Sequence, residues 1–387
     1  MKILMLAPEP FFQPRGTPIS VYFRLKVLSD LGHKVDLITY HLGEDRSFKN
    51  VKILRIPNLF CIIKIKIGPS LTKLPLDFLM LLKAVARLVT KRYDLVFSHE
   101  EAAFFGVVLA KIFRVPHVYD MHSSLPQQLE NFSFSRSIIL KQMFVMMERF
   151  ILKNSQAIIV ICPDLLNIVK AEGFGKKAVL LENFLDFEYP EYSRADVYKK
   201  RRKFAGDDQK IVLYAGNFLP YQGIPLFLKA AAKVQDKRAV FLLVGDTPEA
   251  VEQMQREAVK LGISDKVFFT GQVGPALIPL FISLSDVLVS PRISGTNTPL
   301  KIYSFLKSGK PVVATNLWTH SQVLNDKIAI LVDPDVDSMA VGIRSALFDK
   351  ESLAIARAAK SLANSKYILP KYMEKIELVL AKTKHRD

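Results

Sequence analysis

The sequence contains few cysteines and no long uninterrupted apolar run. Of its 387 residues only Cys61 and Cys162 are cysteines, and neither has the spacing of a metal or redox motif. This excludes the class of disulfide-rich secreted domains and fits a reducing compartment. The best candidate for a membrane span, from Leu74 to Val89, contains three charged residues, so we do not expect it to cross a bilayer.

Several short motifs that would indicate other functions are missing as well. The chain has no GxxxxGK[ST] loop, which leaves ATP-type phosphate-loop chemistry unsupported. It has no HExxH or CxxC cluster and no zinc finger or RNP-like aromatic pair, so we expect no bound metal and no nucleic-acid partner. The apolar run from Ile3 to Ala7 is shorter than a signal-peptide core of about 7 to 15 residues and predicts a buried strand.

Basic residues outnumber acidic ones. The net charge of +17 and the pI near 9.6 indicate a partner such as anionic lipid or a phosphorylated small molecule. Between Val51 and Arg92 there are nine lysines or arginines and one acid, Asp77, among many apolar residues. Such a segment either lies in the headgroup layer of a membrane or packs on its own domain with a solvated basic face, and the sequence leaves both open.

The length and the apolar periodicity predict two α/β domains with parallel sheets. Short β-branched runs alternate with amphipathic stretches of helical length, which is typical of βαβ units. The predicted strands of the first domain are 3–7, 35–40, 51–56, 95–98, 117–120, 157–161 and 178–181. Those of the second domain are 211–215, 239–244, 266–270, 286–290, 311–314 and 328–332.

These strands set the predicted domain boundaries. We assign 1–186 to the N-terminal domain and 210–365 to the C-terminal domain, with a polar linker that carries an exposed helix at 187–209. Long helices are predicted at 341–363 and 370–382. The segment 366–387 has no strand after it and is therefore free to cross back to the first domain.

Two predicted helix starts follow strands directly and have an arginine nearby. In the second domain Thr298 suits the N-cap and Pro299 the first helical position, with Arg292 and Lys301 close in sequence. In the first domain a helix opens at Thr17, after Gly16. Such signals also start many helices that bind nothing, and the same signal recurs at Thr247. Together they predict a nucleotide diphosphate at the helix termini, where amides and cations face the ligand.

Motifs along almost the whole chain resemble one known family. They are MKILMLAPEP, SDLGHKVDLIT, DLVFSHEEAAFFG, VPHVYDMHSS, ENFLD, YAGNFLPYQGI, LLVGDTPE, VFFTGQV and GTNTPLKIYSFLKSGKPVVAT. In this order they resemble the bacterial retaining GT-B glycosyltransferases that include the phosphatidylinositol mannosyltransferases. The resemblance implies the α/β GT-B fold, in which two Rossmann-like doubly wound domains face a cleft.

The family resemblance also implies an activity and its partners. We expect transfer of a sugar from a nucleotide-sugar, which is a substrate and not a cofactor, with retention of anomeric configuration and without a metal. The expected acceptor is lipid-linked or another saccharide, and the expected location is cytoplasmic, peripheral on the anionic inner face of the plasma membrane. Gly16 is expected beside the donor phosphate and His122 beside the reacting sugar, with His99 as a weaker candidate.

The sequence departs from the family pattern at four positions. An arginine and a lysine that usually clamp the diphosphate are replaced by Asn217 and Gln222, and a pair of glutamates is replaced by Thr296 and Ser304. We interpret the change as a rebuilt site in which Arg292 and Lys301 supply the positive charge. The complete predicted donor site is Gly16, Thr17, Gly216, Asn217, Gln222, Arg292, Thr296, Asn297, Thr298, Pro299, Leu300, Lys301 and Ser304.

Two other functions stay open at this point. The lost cations and carboxylates also fit a non-catalytic glycosyltransferase-like subunit of a membrane assembly complex. A nucleotide-sugar 2-epimerase with the same fold would need acid and base carboxylates, for which Glu100, Glu101 and Asp120 are the candidates.

Overall fold

The computed structural model describes residues 1–13, 16–59, 62–63, 65, 70–127, 138–184 and 192–384. The chain divides into two compact units. The first consists of Met1–Asn183 together with Pro370–Asp387, and the second of Phe184–Leu369. Each unit contains one parallel sheet with its own apolar core.

The sheet of the first unit has seven parallel strands in the order β3-β2-β1-β4-β5-β6-β7. Its central strands are buried on both faces, which is why they read as continuous apolar runs. The strands are β1 (Lys2–Ala7), β2 (Lys34–Thr39), β3 (Val51–Arg55), β4 (Leu95–His99), β5 (His117–Met121), β6 (Ala157–Val160) and β7 (Ala178–Leu180). Its helices are Gly16–Asp30, Leu74–Thr90, Ala102–Ile112, Ile138–Asn154, Pro163–Ala171 and Leu369–Lys382.

The sheet of the second unit has six parallel strands in the order β10-β9-β8-β11-β12-β13. They are β8 (Lys210–Ala215), β9 (Ala239–Val244), β10 (Val267–Phe269), β11 (Val287–Ser290), β12 (Val312–Thr315) and β13 (Ile330–Val332). Its helices are Arg194–Arg201, Ile224–Lys233, Pro248–Lys260, Ile278–Leu284, Lys301–Ser308, Trp318–Ser321, Val336–Phe348 and Glu351–Lys366.

Both sheets are doubly wound and reverse their strand order at one point. In the first unit the reversal lies between β1 and β4, and in the second between β8 and β11. Ligands of open parallel sheets bind beyond the carboxyl ends of the strands at such a reversal. The thirteen predicted strands are all present, and the α/β class is confirmed.

Two predicted helix boundaries are wrong. The helix predicted over 341–363 is two helices, because Asp349 adopts an extended backbone between Val336–Phe348 and Glu351–Lys366. The helix after β11 begins at Lys301 and not at Pro299. In the predicted linker 187–209, residues 187–191 lie outside the described residues and Arg194–Arg201 forms the exposed helix. Arg201 joins it to the second sheet by a 2.9 Å ion pair with Asp286.

The basic segment 51–92 is less of a basic surface than its sequence indicates. Four of its cations bind groups of their own unit: Arg55 contacts Asp45, Lys73 contacts Glu101, Lys83 contacts the carbonyl of Arg55, and Arg87 contacts Asp36. Lys64 and Lys66 lie outside the described residues. The helix Leu74–Thr90 buries one apolar face and exposes Leu74, Phe78, Leu82 and Val89. Among the residues that the structure describes, no helix is long and apolar enough to span a membrane.

Candidate functional site

The strand-order reversal of the second unit is lined by polar residues that follow β8 and β11. Gly216 comes directly after β8 with φ of +147°, a backbone conformation that favours glycine. A side chain here would also be crowded, since a Cβ built on Gly216 lies 3.1 Å from the Nζ of Lys301. The tight turn after β8 therefore brings the backbone close to the side-chain nitrogen of Lys301, in the helix that follows β11.

Lys301 is the first residue of the helix Lys301–Ser308, and its Nζ is buried without a hydrogen-bond acceptor. The nitrogen lies 3.8 Å from the ring centroid of Tyr214, over the aromatic face. Burial lowers the pKa of Lys301 well below its usual value, and the charge of Arg292 lowers it further. A buried amine without an acceptor is costly to charge, and a neighbouring anion would offset that cost.

Arg292 follows β11 and contributes a second buried cation. Its Nη1 donates to the carbonyl of Asn297 at 2.9 Å and to Oγ1 of Thr319 at 3.0 Å, while its Nε is buried without a partner. Its guanidinium lies 5.2 Å from the ring centroid of Tyr221. Burial lowers the pKa of Arg292, and no carboxylate within the described parts of the chain offsets that effect. Arg292 and Lys301 are therefore two buried basic groups whose charge no carboxylate in the described parts of the chain offsets.

Thr298 does not cap the helix as predicted. The first turn is closed by the Ile302 amide donating to the carbonyl of Pro299 at 3.0 Å, so the cap position falls on Leu300. The Thr298 hydroxyl is consequently left buried without a hydrogen-bond partner. It is a further buried polar group without a partner beside the helical turn that contains Lys301. Such groups are rare in folded proteins unless a ligand or a water molecule binds them.

The two positions that lost the family's cations have different surroundings. Asn217 is used by its own loop: its carbonyl accepts from the Tyr214 hydroxyl at 2.5 Å and its Oδ1 from the Leu219 amide at 3.4 Å. Gln222 is buried, and its Oε1 has no partner among the described residues.

Thr296 accepts from Gln322 through its carbonyl at 2.7 Å. Ser304 lies one helical turn after Lys301, in a half-buried position.

The first unit contains a separate buried network around Asp120. The helix Gly16–Asp30 carries Arg24, whose Nε donates to Oδ2 of Asp120 at 2.8 Å, and both side chains are fully buried. Nε2 of His122 lies 3.2 Å from Oδ1 of Asp120, and Nδ1 of His99 lies 3.4 Å from Oδ2. Burial alone raises the pKa of Asp120, but Arg24 and the two imidazoles lower it far below its usual range. Asp120 is therefore a permanent carboxylate.

The Asp120 carboxylate orients the ring of His122. An ionised carboxylate only accepts, so the His122 Nε2 that faces Asp120 carries a proton. The Nδ1 of His99 lies 3.2 Å from the same Nε2, and burial lowers the pKa of His99 to about 3, so His99 is neutral.

His99, Asp120 and His122 are also the residues that could hold a metal ion, since their ligand atoms lie within 4.8 Å of one another. The carboxylate is already ion-paired with Arg24, however, and a metal would have to compete with that cation. An Asp-x-Asp spacing occurs at Asp333, Asp335 and Asp337, which our sequence analysis passed over. Asp335 caps a helix by accepting from the Ser338 amide, and Asp337 pairs with Lys233. Metal independence stays a prediction.

Of the three carboxylates proposed for acid and base chemistry, two are engaged in ion pairs. Asp120 binds Arg24, and Glu101 accepts from Lys73 at 2.9 Å. Glu100 accepts from the Ser123 hydroxyl at 2.8 Å, and burial raises its pKa to about 7. Among these three, Glu100 alone has the protonation behaviour of a group that exchanges protons near neutral pH.

Gly16 and Thr17 begin the helix that carries Arg24. Gly16 is exposed, and a Cβ built on it meets nothing within 4 Å, so their donor contacts stay a prediction. The structure also reveals residues that the sequence analysis missed, namely Arg24, Tyr214, Tyr221 and His320. A single arginine within the apolar helix sequence SVYFRLKVL was the available signal for Arg24, whereas nothing in the sequence distinguished the tyrosines from ordinary core residues.

Two family models together cover most of the chain. The model described as Glycosyltransferase Family 4 matches residues 14–189, and that described as Glycosyl transferases group 1 matches residues 197–361. The first match covers β2 to β7, and the second covers β8 to β13.

Individual relatives are similar over nearly the full length. The sulfoquinovosyl transferase of Arabidopsis thaliana is 22% identical over 94% of this chain and 70% of its own. The phosphatidyl-myo-inositol mannosyltransferase of Mycolicibacterium smegmatis is 23% identical over 93% of this chain and 89% of its own. The crystal structure of Anabaena HepE in complex with UDP superimposes with a TM-score of 0.77 at 19% identity, covering 98% of this chain and 100% of that one.

Proposed function

The chain belongs to the glycosyltransferases of group 1 and family 4, which have the GT-B fold, and from that premise we propose that it transfers a sugar from a nucleoside diphosphate sugar to a lipid-linked or saccharide acceptor at a membrane surface. One observation carries the donor part of this proposal. Lys301 and Arg292 form a pair of buried basic side chains at the strand-order reversal of the second unit, and neither contacts a carboxylate among the residues that the structure describes.

A diphosphate supplies what this pair lacks. Its oxygens would accept from Lys301 Nζ, from Arg292 Nε and from the Thr298 hydroxyl, which are the donors left without partners. Negative charge grows on the diphosphate as it leaves the sugar, so preorganised cations lower the barrier most at that stage. UDP is the ligand in the similar HepE structure, which makes it the first donor product to test.

The second element of the proposal is the role of His122. Its imidazole would form a hydrogen bond with a sugar or acceptor hydroxyl, while Asp120, itself held by Arg24, orients the ring through Nε2. No enzyme carboxylate is needed as a nucleophile if the sugar is transferred with retention within one ion pair. Retention and metal independence are parts of the proposal.

Exposed apolar helices support the membrane-associated acceptor. The helix Ala102–Ile112 packs against both Leu74–Thr90 and Ile138–Asn154, so the three are neighbours on one side of the first sheet. All three expose large apolar side chains, namely Leu74, Phe78, Leu82, Val89, Phe104, Val108, Ile112, Ile138, Ile139, Met143, Val145 and Met146. Large apolar side chains exposed on neighbouring helices are typical of proteins that lie on a bilayer.

The donor assignment is tested by thermal stabilisation with UDP, GDP and ADP and with their sugar conjugates. A ligand at a hundred times its dissociation constant adds about 2.7 kcal/mol to the free energy of unfolding, which a melting curve detects readily. We expect one nucleotide series to stabilise the wild type and Arg292→Ala to lose most of that effect. Absence of stabilisation by every nucleotide, with the protein folded, would instead favour a non-catalytic subunit.

The membrane assignment is tested by sedimentation with vesicles of phosphatidylcholine alone or mixed with phosphatidylglycerol. We expect binding to the anionic vesicles that Ile139→Asp and Met146→Asp weaken, because these side chains are 80% and 71% exposed on one helix. Val259→Asp is the matched control, since Val259 is 66% exposed on a helix of the second unit. Equal loss in all three variants, or no binding by the wild type, would contradict the assignment.

A further inference from the structure

We propose that Lys301 is an uncharged amine in the ligand-free protein and takes up one proton when the diphosphate of the donor binds. The inference rests on the proposed function and specifies how the site recognises its anion. The step is R–NH2 plus H+ giving R–NH3+, with the proton taken from solvent or buffer. Donor affinity then depends on pH through a protein group, and not only through the ligand.

The surroundings of Lys301 lack anything that stabilises a charge there. Its Nζ meets the ring face of Tyr214 in β8 and the tight turn at Gly216. The charged group that faces it is another cation, Arg292, which follows β11. The remaining titratable neighbour is His320 in the short helix Trp318–Ser321, which accepts and donates within its own unit to Ser290 and Thr315. No carboxylate or hydrogen-bond acceptor contacts Nζ in the part of the chain that the structure describes.

An ammonium in this position would lose the hydration of three N–H donors. The face of Tyr214 attracts a cation, but one ring does not replace three hydrogen bonds. Arg292 makes the charged form still less favourable because it stays protonated at any ordinary pH. The neutral amine, in contrast, needs only the apolar contact with the ring. This preference for the neutral amine reverses when a diphosphate binds, because its oxygens accept from the ammonium and its charge offsets both cations.

The direction of the pKa shifts agrees with this assignment. Burial lowers the pKa of Lys301 well below 10.5, and Arg292 lowers it further. Burial lowers the pKa of His320 to about 3, so His320 is neutral throughout and does not compete for the proton. A bound dianion beside Lys301 would raise its pKa again, and the difference between the two states is the proton uptake.

The test is calorimetric titration of UDP into the wild-type protein between pH 7 and 8.5, in buffers of different ionisation enthalpy. In this range the terminal phosphate of free UDP is almost fully ionised, because its second pKa is near 6, and the uracil ring keeps its proton. The slope of the observed enthalpy against the ionisation enthalpy counts protons. We expect close to one proton taken up per UDP over part of the range, and an affinity that falls up to tenfold per pH unit there.

Two variants assign the proton to Lys301. Lys301→Arg keeps a permanent cation and should bind UDP without uptake, while Lys301→Met should bind weakly with a flat pH profile. Lys229→Met, on an exposed helical position of the same unit, should behave as the wild type. UDP binding by the wild type without uptake at any pH, or with uptake retained in Lys301→Arg, would overturn the inference while leaving the donor site intact. Absence of binding by every nucleotide diphosphate would overturn the donor assignment and this inference together.

Discussion

Replacing Lys301 by methionine should make the ligand-free protein more stable while it weakens donor binding. Methionine has a similar unbranched shape and fills the space along Tyr214 without a polar atom. A buried polar group without a hydrogen-bond partner costs about 1 to 3 kcal/mol, and the exchange removes that cost. The methionine keeps the packing against the Tyr214 ring, whose centroid lies 3.8 Å from the Lys301 nitrogen.

The expected gain is therefore about 1 to 3 kcal/mol, measured as a rise in melting temperature. For a unit of this size each kcal/mol corresponds to about 2 to 4 °C, so we expect a rise of about 2 to 12 °C by calorimetry or circular dichroism. The gain should depend on pH. Because the folded-state pKa of Lys301 is lowered from 10.5, the unfolded chain binds more protons between the two values, and wild-type stability rises with pH there.

The advantage of the Lys301→Met variant should consequently be largest at the low end of that window and shrink as the pH approaches about 10.5. Lys229→Met serves as the control for removing a positive charge from an exposed position. A lower melting temperature for Lys301→Met, or an equal rise for Lys229→Met, would show that Lys301 is not a buried amine without a compensating partner. Both the donor proposal and the proton uptake would then lose their physical basis.

Three further changes test the site. Arg292→Ala should weaken nucleotide diphosphate binding by about 1.5 to 3 kcal/mol, the cost of a lost charged hydrogen bond, and unchanged affinity by calorimetry would contradict this. Asn217→Arg should reduce affinity, because it removes the Oδ1 that accepts from the Leu219 amide and adds a larger side chain to the loop; tighter binding would indicate that the family's usual clamp is only dormant. His122→Ala should leave donor affinity within twofold of the wild type and slow transfer, and equal losses in both assays would assign His122 a structural role.

The secondary structure and the fold class were predictable because parallel strands that are buried on both faces must be apolar throughout. Each of the thirteen strands, such as Ala239–Val244, stands out as a β-branched or aromatic run between amphipathic segments. Helix ends were less predictable. Thr298-Pro299 has the pattern of a helix cap, but the Pro299 carbonyl closes the first turn instead. The geometry of the loop after β11, and not the local pattern, therefore sets where the helix begins.

The charge distribution shows a second limit of sequence reasoning. Nine cations between Val51 and Arg92 suggested a basic surface, yet Arg55, Lys73, Lys83 and Arg87 bind groups within their own unit. Composition counts charges but not the direction in which side chains point. The exposure of apolar residues in Ile138–Asn154 was equally unpredictable, because the sequence of a helix does not show how much of its apolar surface a neighbouring element covers.

The sequence by itself determined the family, the two parallel sheets and the polar residues after β11 that include Arg292 and Lys301. Those features depend on local patterns of residues, which a chain carries wherever it folds. Only the tertiary structure decided that Lys301 meets Tyr214 and Arg292 with no acid nearby, and that Arg24 holds Asp120 against His122. Lys301 is 87 positions from Tyr214 and Arg24 is 96 positions from Asp120. Burial, which controls the charge of these groups, is a property of packing and not of the residues alone.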